Sequence, residues 1–194
     1  MNGVVGVLAL QGAFAAHCER IRALDVECTQ VRTTTDLDSV DALIMPGGES
    51  STMSHLLVTS GLFTAISKRI TDGMAVFGTC AGMILLASDI LDGRDDQKSF
   101  AALDISVRRN AYGRQIDSFE ADVTMTFGTF HGVFIRAPKI ERVGDGVEIL
   151  GTYEGEPVVV RQDNALAAAF HPELTDDSQL HRFFIENMMM KEQG

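Results

Sequence analysis

A cysteine flanked by small residues, Gly78-Thr79-Cys80-Ala81-Gly82, follows the apolar run Met74 to Phe77 and precedes Met83-Ile84-Leu85-Leu86-Ala87, which suits a helix. A small-residue turn between strand and helix is the geometry of a nucleophile elbow. Gly78 and Gly82 permit the bend, and the helix N-terminus sits under the sulfur. Unpaired N–H groups there stabilise negative charge on sulfur, and the amide of Ala81 can point at an oxyanion. The alternative is that Cys80 is a small buried hydrophobe, as free cysteines usually are. A G-x-C-x-G at such a junction favours the nucleophile.

His171-Pro172-Glu173 comes directly after the strand-like Leu166 to Phe170. Pro172 pushes His171 toward extended dihedrals, and in an extended segment residues two apart face the same side, so His171 and Glu173 are expected to touch. A carboxylate orienting an imidazole that faces a thiol is triad logic in its cysteine form. Plainer readings remain: an H-P pair often ends a strand, and Glu173 could cap a helix starting near Ser178. Pro46-Gly47-Gly48-Glu49-Ser50-Ser51 also follows a strand and opens a helix. Its glycines let backbone amides approach an oxyanion or carboxylate, though it could be only a turn with Ser50 or Ser51 as N-cap. It lacks the G-K-[ST] ending of a phosphate-binding loop.

Holding these segments in register requires a sheet. Gly3 to Leu10 is a Val-rich apolar run of the kind buried on both faces, and Val26 to Val31, Asp41 to Met45 and Met74 to Phe77 read as three further strands. Between them Phe14, Cys18, Ile21 and Leu24 recur at helical spacing within Ala13 to Leu24, and Thr52 to Val58 and Phe63 to Ile70 are also helical in pattern. The second half reads as short strands separated by turns: Ile105 to Val107, Phe119 to Met125, Gly132 to Ile135, Val147 to Leu150, Val158 to Arg161 and Leu166 to Phe170. A helix over Ser178 to Met190 presents Leu180, Phe183, Phe184 and Met188. The expected fold is α/β, a single domain over 1–194, with a mostly parallel central sheet flanked by helices and additional antiparallel strands in the second half.

Composition bounds the partners. The chain has 194 residues, 45% of them hydrophobic, enough for a self-sufficient core, and no internal repeat or linker. A net charge of −11 repels a phosphate backbone or an anionic bilayer, so neither nucleic acid nor a membrane is expected. Three cysteines without C-x-x-C spacing argue against a disulfide framework or zinc site. With no basic leader and no apolar run of roughly 20 residues, a cytoplasmic setting is expected. Cys18 and Cys28 read as core packing, and His17, His55, His131 and His181 fall in no motif.

These residues resemble the class I (triad) glutamine amidotransferases, and within that family the branch that serves pyridoxal 5′-phosphate synthase. The cysteine elbow and H-P-E belong to the family at large. Arg109-Asn110-Ala111-Tyr112-Gly113-Arg114-Gln115, Asp117-Ser118-Phe119-Glu120 and Phe134-Ile135-Arg136-Ala137-Pro138 belong to the branch. The resemblance implies a flavodoxin-like fold, Cys80 as nucleophile, His171 as acid and base, and Glu173 as its orienting partner. It implies glutamine held by Gly48, Glu49 and Ser50, by Arg109, and by Ile135-Arg136, with oxyanion donors at Gly48 and Ala81. Residue by residue, sequence alone would make Arg109 and Arg136 surface ion-pair formers. It further implies no cofactor and no metal, and a (β/α)₈-barrel synthase subunit that receives the ammonia and switches the glutaminase on by completing the oxyanion hole near Gly47 and Gly48. A glutaminase feeding another synthase, or a non-catalytic protein on this fold, would lack reason for the branch segments or for H-P-E. Many relatives have Gln where this chain has Met83, a change the branch shares. Leu91 to Ala102 matches poorly, and Phe100-Ala101-Ala102-Leu103 lacks an expected Gly-Leu, which puts a surface loop in question.

Overall fold

The computed structural model describes residues 3–109 and 118–189. The first half alternates as its patterning dictates: β1 (Val4–Leu8), α1 (Phe14–Arg22), β2 (Glu27–Val31), α2 (Thr34–Asp38), β3 (Ala42–Met45), α3 (Ser50–Thr59), α4 (Leu62–Thr71), β4 (Ala75–Thr79) and α5 (Ala81–Leu86). The second half supplies β5 (Ala87–Ile90), β6 (Leu103–Arg108), β7 (Ser118–Met125), β8 (Gly128–Ile135), β9 (Lys139–Val143), β10 (Glu148–Tyr153), β11 (Glu156–Gln162), β12 (Ala165–Ala168) and α6 (Gln179–Phe184). Asn110 to Asp117 and Met190, which fall in the branch segments and the expected last helix, lie outside the described residues.

Among the described residues the main sheet runs β2-β1-β3-β4-β12-β11-β10-β7-β8. Pairing is parallel from β2 through β12 and antiparallel from β12 onward. Continuous apolar runs make the parallel strands: β3 and β12 are buried at every position, as strands covered on both faces must be. Strand β12 carries the chain back from the antiparallel half to lie beside β4, pairing Leu166 with Phe77 and Ala168 with Thr79. This return matters for function, since it sets the end of β12 next to the end of β4. The alternation of sequence-adjacent strands in the second half gives no hint of it.

Three elements escape the sequence reading. The helix α2 is five residues long, too short for periodicity, and is made by a capping box. Thr33 Oγ1 accepts from Asp36 N at 3.2 Å and Asp36 Oδ2 accepts from Thr33 N at 2.9 Å. Strands β5 and β9 form a small second sheet on either side of β6. Their sequences, Ala-Ser-Asp-Ile and Lys-Ile-Glu-Arg-Val, carry too few apolar side chains to announce a strand. The expected helix from Ser178 onward is α6 only to Phe184 and continues as a π turn over Ile185–Met189.

Candidate active site

The cleft opens at the carboxyl ends of the adjacent parallel strands β1, β3, β4 and β12, the edge where open α/β sheets bind ligands. Its volume is about 310 Å³, the lower end of small-molecule sites. Each strand end delivers one part. Gly12 and Ala13 follow β1, Gly47 to Ser50 follow β3, Cys80 and Ala81 follow β4, and His171 follows β12. Ile135 and Arg136 enter from the end of β8, and Arg109 from just past β6. Every predicted binding residue, and Cys80, Ala81 and His171, therefore lines one cleft.

Cys80 carries the strain of the elbow. It sits at φ 50° and ψ −105°, a left-handed conformation that a non-glycine residue holds only when its surroundings impose it. Its amide is tied to Ala168 O at 2.9 Å, which locks the turn to β12. The neighbouring glycines serve another purpose than bending. A Cβ at Gly78 would lie 2.5 Å from the Gly82 carbonyl, and one at Gly82 would lie 2.0 Å from Met45 O, so both are small because α5 packs directly on the sheet. The Cys80 sulfur approaches Ile135 O at 3.9 Å.

His171 and Glu173 touch, by a route other than the extended one expected. Pro172 opens a 3-10 turn over Pro172–Leu174, and the turn swings Glu173 back so that Oε1 meets His171 Nδ1 at 2.8 Å. The His171 amide donates to Val133 O at 2.9 Å, which fixes the imidazole relative to β8. Burial lowers the His171 pKa, but hydrogen bonds and charge from Cys80 and Glu173 outweigh it and lift the group to about 10. Glu173 is 3% exposed. Burial would raise its pKa, yet the neighbouring His17 and the bond and charge of His171 hold it below the ordinary carboxylate range. An imidazolium braced by a carboxylate thus faces a buried sulfur, an arrangement suited to nucleophilic attack and proton delivery.

The loop after β3 is organised by Glu49 rather than by a serine. Its carboxylate N-caps α3, accepting from Ser51 N at 3.1 Å and Thr52 N at 2.7 Å. Partial burial raises the Glu49 pKa, but these bonds and those from the Ser51 and Thr52 hydroxyls bring it down to about 2. Glu49 Oε1 also takes Arg109 Nη2 at 2.9 Å. Arg109, read as one of the groups that hold glutamine, is thus paired with Glu49, and its buried Nε has no hydrogen-bond partner among the described residues. Arg136 lines the cleft at φ 45° and makes no ion pair among the described residues. The Gly47 carbonyl accepts from Ala13 N at 3.2 Å and Glu49 N donates to Gln11 Oε1 at 2.9 Å, so the β1–α1 loop sets the orientation of the Gly47–Gly48 peptide.

Sequence reasoning missed several contributors. The poorly matching stretch 91–102 does reach the site: Gln97 donates to Ser50 Oγ at 3.1 Å and accepts from Arg109 Nη1 at 3.2 Å. No motif marks it. His17 and His181, set aside as unassigned, are wholly buried behind Glu173, and the signal was their placement on the apolar faces of their helices. A polar group there must have a partner. Cys18 and Cys28 are core residues as read, with Cys28 Sγ donating to Cys18 Sγ across 2.7 Å.

With this geometry, the profile of the SNO glutamine amidotransferase family matches residues 7–190. The chain belongs to that family. It is 51% identical to pyridoxal 5′-phosphate synthase subunit PdxT of Mycobacteroides abscessus, over 96% of this chain and 97% of that one. It is 52% identical to the PdxT subunit of Thermus thermophilus, over 96% of this chain and 98% of the relative. A crystal structure of a glutamine amidotransferase superposes with a TM-score of 0.90 at 49% identity, covering 95% of this chain and 98% of that one. Among the described residues no helix is long and apolar enough to cross a membrane, and no group of three or more His, Cys, Asp or Glu side chains is placed to hold a metal ion.

Proposed function

We propose that this amidotransferase hydrolyses the side-chain amide of L-glutamine to L-glutamate and ammonia, as the glutaminase subunit of pyridoxal 5′-phosphate synthase. The observation that carries the reading is the convergence on one cleft of a strained cysteine, an imidazole held by a buried carboxylate, and an amide-rich loop, in a chain half identical to PdxT subunits.

Cys80, its proton passed to His171, attacks the amide carbon, and the new C–S bond pushes an electron pair onto oxygen. The N–H groups of Gly48 and Ala81 receive that oxyanion. As the tetrahedral centre collapses, the C–N bond breaks and His171 delivers its proton to the departing ammonia. Water, deprotonated by the same imidazole, then cleaves the γ-glutamyl thioester, releasing glutamate and restoring the thiol. Glu173 keeps the imidazole oriented throughout. Arg109 with Glu49, Ser50, Ile135 and Arg136 hold the α-amino acid end. Ammonia passes to a synthase subunit, read as a (β/α)₈ barrel, in a hetero-oligomer. Docking of that subunit is proposed to set the Gly47–Gly48 peptide in its productive orientation.

The test is ammonia release from glutamine by purified chain with the synthase subunit present. Wild type should be active and Cys80→Ala inactive while still folding cooperatively, since the substitution removes a sulfur and little volume. Retained hydrolysis in Cys80→Ala would refute the reading.

A further inference from the structure

We infer that His17, backed by His181, is a positioning residue for this reaction: it holds the far side of the Glu173 carboxylate and thereby fixes the imidazole that faces Cys80. The inference rests on the glutaminase reading above and extends the site two residues into the core.

The geometry is a continuous buried chain. Glu173 gives Oε1 to His171 Nδ1 at 2.8 Å, while Oε2 takes no well-directed hydrogen bond and has His17 Nε2 at 3.3 Å as its ion-pair contact. Nε2 of His17 also lies 3.1 Å from Thr79 Oγ1, the residue before the nucleophile. On the other side of the ring, His17 Nδ1 lies 2.9 Å from His181 Nε2. Both histidines are 0% exposed, and His181 Nδ1 has no partner among the described residues.

Only one assignment of protons suits all these contacts. Let His181 carry its proton on Nε2 and donate to His17 Nδ1. His17 must then carry its own on Nε2, between Thr79 Oγ1 and Glu173 Oε2, where a proton is attracted to the carboxylate. The unpartnered His181 Nδ1 becomes a bare lone pair. The reverse assignment leaves a buried N–H orphaned at His181 and turns the His17 lone pair toward the anion, so it incurs a desolvation cost and a repulsion together.

Burial lowers the pKa of both rings, outweighing at His17 the pull of the Glu173 carboxylate that raises it, and at His181 the neighbouring His17 and Arg20 lower it further, so both stand neutral. A neutral donor suits this place. It steadies Glu173 without neutralising it, so the carboxylate retains its charge for the His171 imidazolium. The groups facing His17 are Glu173 and His171 from the turn after β12, Thr79 from β4 and His181 from α6, with the Phe77 ring at the edge of His181.

The experiment compares His17→Asn with His17→Gln in the full chain assayed with its synthase subunit. Asn retains a polar atom toward His181 and loses the reach to Glu173, whereas Gln retains an N–H near the Nε2 position. His17→Asn should lower kcat roughly 10–100-fold with KM for glutamine nearly unchanged, the range seen when a partner that orients a functional side chain is removed. His17→Gln should remain within about threefold of wild type. In ¹⁵N NMR of histidine-labelled chain, the His171 midpoint should fall in the Asn variant and hold in the Gln variant, which a purely structural histidine would not cause. Unchanged kcat and His171 titration in His17→Asn overturn the inference. Should that variant fail to fold, the wild-type spectrum decides: protons on Nε2 of both His17 and His181 support it, and protons on Nδ1 overturn it. Wild-type activity lost in Cys80→Ala keeps the glutaminase reading standing even if His17→Asn behaves as wild type.

Discussion

Gly12→Ala is the sharpest test of how the β1–α1 loop governs the proposed oxyanion site. Gly12 sits at φ +96°, and a Cβ there would lie 1.9 Å from the Gly47 carbonyl oxygen. The Cβ is fixed by its own backbone and the oxygen is a backbone atom, so the overlap cannot be relieved by rotating a side chain. Restoring van der Waals contact demands a shift of about 1 Å in the Gly47–Gly48 peptide and breaks the 3.2 Å bond from Ala13 N. The positive φ and the overpacking together should cost about 3 kcal/mol, a fall in Tm of roughly 6–12 °C for a chain of this size. The kinetic effect should exceed what stability explains. A 1 Å misplacement of a catalytic donor costs on the order of a hundredfold, and loss of an oxyanion donor costs roughly 100- to 1000-fold. The assay is glutamate formation with the synthase subunit present, below the variant's unfolding range, with the rate of Cys80 alkylation by iodoacetamide as a control that should stay near wild type. A variant whose Tm falls but whose kcat stays within about threefold would show that the Gly47–Gly48 peptide contributes no donor.

Arg136→Ala should raise KM for glutamine by roughly tenfold, the cost of about 1.5 kcal/mol for one charge-assisted hydrogen bond, and Arg109→Ala at least as much, because it also strips Glu49 of its partner; steady-state kinetics with unchanged KM would move either arginine out of the substrate site. Gln97→Ala removes the bonds to Ser50 and Arg109 and should raise KM several-fold at unchanged kcat, a result that would tie the 91–102 loop to binding, and no change in KM would sever that tie. His171, ordinary near 6.5 when unfolded and lifted to about 10 when folded, contributes stability that is fully present below pH 6.5 and is lost as pH rises through 10. Melting temperature should therefore fall across that window more steeply in wild type than in Cys80→Ala, which lacks one of the groups that raise it, and parallel curves would contradict this origin.

The parts of the candidate site were legible in the chain because each is local. The elbow around Cys80, the H-P-E turn and the Gly47–Gly48 loop are each contained in a few consecutive residues, and each follows an apolar run that can only be a buried strand. Composition added one domain's worth of core and an acidic surface. What the sequence could not determine is which strand ends meet. That β12 returns to lie against β4, bringing His171 to Cys80, follows from sheet order, and sheet order is set by packing across the whole molecule. The same holds for the contact between His171 and Glu173, which arises from a 3-10 turn rather than strand alternation, and for the pairing of Arg109 with Glu49, which turns two separately read ligands of glutamine into one unit. Gln97 reaches the site across a loop with no regular pattern, and His17 reaches Glu173 backed by His181, 164 residues away on another helix. Local periodicity records which face of an element is buried. Only the tertiary structure decides what that face is buried against, and for a polar side chain in the core that partner is the function.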